Sequence, residues 1–209
     1  MKIIGLAHNG DHALLQTVRV LDAGGVCVVP TDTVYGIVAD AGSEAAIEKL
    51  AATKEWRGER SLLVFMQDIA HARQFAYISD AKARFLEKIW PGAVTVLFQH
   101  KGKLAPNISG GDTIGMRMSG YSFVRDLLEK LKRPLVQTSA NISGGPPAKN
   151  IAEIFRYFEA HDPKPDLIID GGEIAGAPST IINFVHDMPL IIRSGVVTKS
   201  DLDALLGGE

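Results

Sequence analysis

The chain has 209 residues, 46% of them hydrophobic and 22% charged, with 22 Lys and Arg against 24 Asp and Glu for a net charge of −2. That suits one α/β domain with a sizeable core and excludes a general basic bias toward nucleic acid, leaving only a local basic pocket open. The single cysteine, Cys27, excludes an internal disulfide framework and fits a reducing compartment; set among Val26, Val28 and Val29, it reads as core rather than nucleophile.

Met1 to His8 carries no basic start followed by a long apolar stretch, and no apolar run approaches the roughly 18 residues that span a bilayer. The expectation is a cytoplasmic protein with no membrane contact. Leu14, Leu15, Val18 and Leu21 then mark a helical face, stopped by Gly24-Gly25. Val26 to Val29 reads as a short apolar strand running into Pro30. Ser43 caps a predicted helix bearing Ala46, Ile47, Leu50 and Ala51, and Leu62 to Met66 is another strand. Ser79 opens a helix that ends at Trp90-Pro91-Gly92. Strands follow at Ala93 to Phe98, Thr113 to Met118 and Leu135 to Thr138, the last two separated by a helix carrying Phe123, Val124, Leu127, Leu128 and Leu131. Asn150 and Glu153 form a capping box for a helix using Ile151, Ile154, Phe155 and Phe158. Leu167 to Ile169, Ser179 to Val185 and Leu190 to Ile192 complete the strands, and Thr198 with Asp201 starts a terminal helix.

Strands alternating with helices predict an α/β sheet flanked by helices. The turn at His186 to Pro189 joins two strands directly, which adds antiparallel pairing, so a mixed sheet is expected. No repeat, low-complexity segment or convincing linker interrupts the pattern, and residues 1–209 are expected to form a single domain.

Three polar, Gly- or Pro-containing segments sit where strands end: Pro30 to Gly36, Thr138 to Gly144 and Pro178 to Thr180. Ligands of open α/β sheets bind beyond such ends, where hydroxyls, an Asn amide and backbone N–H groups hold phosphate or carboxylate oxygens. Arg117 and Arg193 each follow an apolar strand and suit the same anions. Turn satisfaction accounts equally for the hydroxyls and Asn141, and structural ion pairs for the arginines. No pair of histidines has a metal-ligand spacing, and neither the P-loop nor the dinucleotide fingerprint is present.

In order along the chain, these segments resemble the YrdC-like family. Pro30-Thr31-Asp32-Thr33-Val34-Tyr35-Gly36 looks like its first signature, and Lys54 follows at the family's spacing. Trp90-Pro91-Gly92-Ala93-Val94-Thr95, Ile114 to Met118, Ser139 to Gly144, Ile169 to Gly172, Ser179 to Ile182 and Ile191 to Gly195 complete the resemblance, from about residue 12 to residue 200. It implies a twisted sheet of mixed parallel and antiparallel strands with an open, concave basic face, in one YrdC-like domain. It also implies a nucleotidyltransferase that makes threonylcarbamoyl-AMP and pyrophosphate from L-threonine, bicarbonate and ATP, for modification of adenosine 37 of tRNA.

Carried over by position, Lys54 and Arg117 would be catalytic, and Thr33, Arg117 and Ser179 would hold threonine. Lys54, Arg57, Thr113, Ser139, Asn141 and Arg193 would face the nucleotide. Mg²⁺ would accompany the phosphates with no metal ligands from the protein, and the product would pass to threonylcarbamoyl-transfer proteins, with direct tRNA or RNA contact a further expectation. Arg117→Ala is expected to raise the threonine requirement and leave the fold intact.

The chain departs from the family pattern at Trp56 and Arg57, which stand where the family usually has Arg and Pro, and at Ser61, Phe65, Gln137 and Pro147. Arg57 or Arg60 would restore the missing charge. Two readings compete with the synthase. One is a relative that holds RNA or nucleotide without synthesis, for which the 55–60 segment is the only aromatic and basic stretch. The other is a carbamoyl-transferring enzyme of hydrogenase maturation, disfavoured by the missing zinc-finger cysteines.

Overall fold

The computed structural model describes residues 1–56, 62–108, 111–174 and 176–206. Among these the chain runs β1 (Lys2–Gly5), α1 (Leu6–Asp22), β2 (Cys27–Val29), β3 (Gly36–Asp40), α2 (Glu44–Thr53) and β4 (Leu63–Phe65). It continues through α3 (Ile69–Phe75), α4 (Asp80–Ile89), β5 (Val94–Gln99), β6 (Thr113–Arg117), α5 (Ser122–Leu131) and β7 (Leu135–Ser139). α6 (Ile151–Phe158), β8 (Leu167–Asp170), β9 (Thr180–Asn183), β10 (Leu190–Arg193) and α7 (Lys199–Leu206) complete it.

The helices start where short polar side chains take up free N–H groups. Ser43, Ser79 and Asn150 accept from the N–H of Ala46, Lys82 and Glu153, as expected, and Asp68 does the same for the unforeseen α3 through His71. Ahead of α7, Thr198 and Asp201 bond each other reciprocally. The strands form one sheet in the order β1-β8-β2-β3-β7-β4-β6-β5-β9-β10. Four neighbouring pairs are parallel (β1–β8, β8–β2, β4–β6, β5–β9) and the others antiparallel, including β9–β10 across the turn at His186 to Pro189. The expected mixed α/β architecture is present. Strands β1 and β3 were not anticipated.

Alternation along the strands sorts the core into two layers. Cys27, Val29, Leu167 and Ile169 face α1 and α5, which contribute Ala13, Leu21, Phe123, Val124 and Leu127. Val28, Ile168, Val96, Met116 and Ile182 face the other way, toward α2, α4 and α6. Cys27 is fully buried, and burial followed by the charge of Asp166 pushes its thiol up, so it belongs to the core. The first face continues through Leu63 and Phe65 to their partners Gly115 and Arg117, then to Leu97 opposite Gly115. α1 packs mainly on the β1, β8, β2 and β3 end. Over β4, β6, β5 and β9 the same face becomes the floor of a cavity.

Gly36 begins β3 where a Cβ would meet Gln137 Nε2 at 2.6 Å and its Cγ at 3.0 Å. Gln137 is 4% exposed and has little room to withdraw. Gly36→Ala should therefore destabilise by roughly 1–3 kcal/mol, the usual range for overpacking. Adding Gln137→Ala should recover most of that loss in urea unfolding; no recovery would place the strain elsewhere.

Candidate active site

The cavity has a volume of about 460 Å³. It lies on the face of the sheet rather than beyond the strand ends. Leu63, Thr95, Leu97, Gly115, Arg117 and Ile181 form its floor, and the segments around Thr33, Asn141 and Ser179 fold over it as walls. Gly115 keeps the floor low: a Cβ there would stand 3.3 Å from both Leu97 Cδ2 and Thr95 Cγ2. Among the described lining residues, Lys54, Arg117 and Arg193 are cationic and none is acidic. This is the local basic pocket that a net charge of −2 left open.

Arg117 anchors one half and is 2% exposed. Its Nε donates to Gly92 O at 2.9 Å, its Nη1 to Thr33 Oγ1 at 3.0 Å, and its Nη2 stands 2.6 Å from Asp32 Oδ1. Phe65 supports the guanidinium from below, 5.9 Å from ring centre to Cζ. Burial pushes the Asp32 carboxyl up, but Arg117, the Ser119 hydroxyl (2.5 Å) and the Gly120 N–H (3.0 Å) outweigh it and hold it below the usual carboxylate range. Thr33 is set by its own turn, in which Thr31 Oγ1 donates to Val34 O at 2.6 Å and accepts from Thr33 N at 3.1 Å.

Lys54 anchors the other half from the end of α2. Its Nζ donates to Ser139 O at 2.8 Å, Asn141 Oδ1 at 3.0 Å and Asn141 O at 3.2 Å. All three acceptors are neutral, so burial dominates and lowers the ammonium to about 8. A buried cation held only by dipoles projects positive potential into the cavity, the condition that suits a phosphate. Asn141 is consumed locally: its Oδ1 also accepts from Ser139 Oγ at 2.6 Å, and its Nδ2 donates to Ile142 O and Gly145 O.

At a third corner, Thr95 Oγ1 and Ser179 Oγ are 2.8 Å apart, both buried. Arg193 Nη2 donates to Ser179 O at 2.9 Å, tying β10 to this corner. Gly195 fits against the same segment, where a Cβ would fall 2.2 Å from Pro178 O.

The structure thus brings Thr33, Lys54, Arg117, Ser139, Asn141, Ser179 and Arg193 to one cavity. Thr113 is not among its lining residues: exposed at the first position of β6, it stands roughly 13 Å along the strand from Arg117. Arg57, with Arg60, lies outside the described residues. In the sequence, Asp32 and Thr95 stand inside motifs with no role of their own, Gln137 and Pro147 stand out only as departures, and Trp56 as a departure and as the aromatic of the 55–60 stretch; Thr95, Trp56, Gln137 and Pro147 all line the cavity. Their shared signal was position beside an assigned residue or on an inward-facing strand site.

A family profile described as telomere recombination, Sua5/YciO/YrdC, matches residues 19–195. The threonylcarbamoyl-AMP synthase of Bacillus subtilis is 30% identical over 205 residues, 95% of this chain and 58% of that protein. That of Saccharophagus degradans is 34% identical over 187 residues, 87% of this chain and 94% of that protein. The solved structure of P. abyssi Sua5 complexed with L-threonine superimposes with a TM-score of 0.90 at 26% identity, covering 99% of this chain and 61% of that one. The chain spans little more than half the length of the B. subtilis and Pyrococcus abyssi relatives, at 58% and 54%.

Proposed function

The chain belongs to the Sua5/YciO/YrdC family, and from that premise we propose that it is an L-threonylcarbamoyladenylate synthase using L-threonine, bicarbonate and ATP. The observation that carries this reading is one cavity with two cationic anchors, Arg117 beside hydroxyls and Lys54 beside carbonyls. Arg117, Thr33 and Ser179 make a corner for a small hydroxy amino acid. Lys54, Ser139 and Arg193 make one for phosphates.

The chemistry asks little of a general base. Threonine nitrogen adds to bicarbonate carbon with loss of water, giving an N-carboxylate that is already an anion. One of its oxygens bonds to the α-phosphorus of ATP, and the bond to the pyrophosphate oxygen breaks. Bringing two anions together and screening the charge on phosphorus is positioning and electrostatic work, which fixed cations and donors supply. The described lining residues include no carboxylate to offer a magnesium ion; the Mg²⁺ that such phosphate chemistry implies would arrive on the triphosphate. Transfer of the adenylate onward to tRNA-modifying proteins, direct tRNA contact and a cytoplasmic setting belong to the same proposal. Among the described residues, no helix is long and apolar enough to cross a membrane.

The test is pyrophosphate release from ATP with bicarbonate, with and without L-threonine, with L-serine as control. Threonine-dependent release supports the synthase; none from folded protein overturns it. Thr95→Val keeps the shape but removes the 2.8 Å contact to Ser179 Oγ. It should raise the threonine KM about fivefold to tenfold, the worth of one hydrogen bond, and leave that for ATP unchanged. An equal shift in both would deny Ser179 its place beside threonine.

A further inference from the structure

We propose that Trp56 is the base-recognition residue of the cavity, its indole serving as a stacking platform for the nucleobase of the bound nucleotide; this rests on reading the cavity as a nucleotide site. Trp56 lines the cavity and also packs on the core beneath it, so the ring is supported from behind. Its backbone is fixed. The last turn of α2 closes with Glu55 N donating to Ala52 O and Trp56 N to Ala51 O, both at 3.0 Å, with Glu55 in the left-handed region at φ 49. Glu55 Oε1 lies 2.7 Å from His161 Nδ1, which holds the turn from outside. The platform is therefore set before a ligand arrives, which spares the ordering entropy of binding.

The neighbour of the ring points to the ligand class. Lys54 Nζ lies over the indole, 5.7 Å from its centroid, so a cation suited to phosphate and a flat π-face stand together. A nucleotide carries the two matching parts, phosphate and base, one sugar apart. Ser143, Gly144 and Pro147, all compact, line the same cavity of about 460 Å³. Asn141, whose amide lines the same cavity and accepts from Lys54, has both side-chain ends engaged within the protein and does not read a base edge. Recognition here is by face rather than by edge, and other purine nucleoside triphosphates should compete with ATP for binding.

The chain holds two tryptophans, which makes the test direct. Trp90 is buried, with its Nε1 donating to Val94 O at 2.8 Å, and serves as a silent reference. ATP should quench the emission of the full chain saturably, whereas inorganic tripolyphosphate, which engages Lys54 but brings no base, should not. Trp56→Ala should weaken ATP binding about 5- to 150-fold, the range for one stacked base, and leave tripolyphosphate binding unchanged. Trp56→Phe should recover most of the loss. Unchanged ATP affinity in Trp56→Ala, or an equal loss for tripolyphosphate, overturns the proposal. If the wild-type chain still releases pyrophosphate with threonine, only the role of Trp56 falls; if the wild-type binds no nucleotide, the cavity reading falls with it.

Discussion

Replacing Arg117 by alanine is expected to lower stability by about 3 kcal/mol and to abolish threonine-dependent turnover, because the side chain serves fold and site at once. Its guanidinium is 2% exposed and stands 2.6 Å from Asp32, whose own side chain is 19% exposed. Removing the cation leaves a largely buried carboxylate with only Ser119 and Gly120 for compensation. Breaking such a pair costs roughly 3–5 kcal/mol, and the partial exposure of Asp32 sets the lower end. The Asp32 contact adds an expected cost in stability to the reading from sequence that this variant keeps an intact fold.

The pH dependence follows from Asp32. Its folded pKa is depressed, so the stabilisation it provides is present above the unfolded value of about 3.9 and lost as pH falls through the lower folded value. The penalty of Arg117→Ala should therefore shrink in acid, where a protonated Asp32 no longer needs a partner. Asp32→Asn with Arg117→Ala should regain part of the stability and none of the turnover. Urea unfolding at neutral and acid pH checks the stability statements and a turnover assay the last, and a penalty independent of pH would contradict the assignment.

Lys54→Met should weaken ATP binding about 10- to 150-fold, the worth of a charge-assisted contact. The more specific expectation concerns protons. The Lys54 ammonium titrates at about 8 when folded, against about 10.4 in an unfolded chain. Between those values the unfolded chain binds more protons, so stability rises with pH across that window and the buried charge lowers it below. A bound polyphosphate reverses the balance by favouring the charged form. ATP binding should therefore take up protons near pH 8 and weaken as pH rises through it. Calorimetry in two buffers of different ionisation heat measures the uptake, and Lys54→Met should abolish it. Equal heats for the wild-type chain in both buffers would contradict a phosphate at Lys54.

Much of this was legible from local chemistry. Ser43, Ser79, Asn150 and Thr198 each announce a helix start through a side chain that acts within three residues, and the structure shows each cap formed. β3 was hidden because Gly36 reads as the end of a polar loop, whereas its lack of a Cβ makes room for Gln137, distant in sequence. β1 carries a single buried side chain at one edge of the sheet and shows no apolar run. Within the site, the order of the segments along the chain pointed to residues that the cavity gathers, although hydroxyls and cations near strands also serve turns and ion pairs. The partnerships were not legible: Asp32 with Arg117, and Thr95 with Ser179, pair across tens of residues and depend on strand register. Thr113 shows the converse, an inward-facing register whose place along β6 sets it outside the cavity lining.

The central claim, that one cavity joins threonine, bicarbonate carbon and adenylate, is tested most directly by trapping the product. The chain would be incubated with ATP, L-threonine and carbon-labelled bicarbonate, and the nucleotide fraction analysed by mass spectrometry. The account predicts an adenylate carrying both the threonine mass and the bicarbonate label, absent in Lys54→Met. AMP or ADP alone, or a threonyl adenylate without the label, would contradict it.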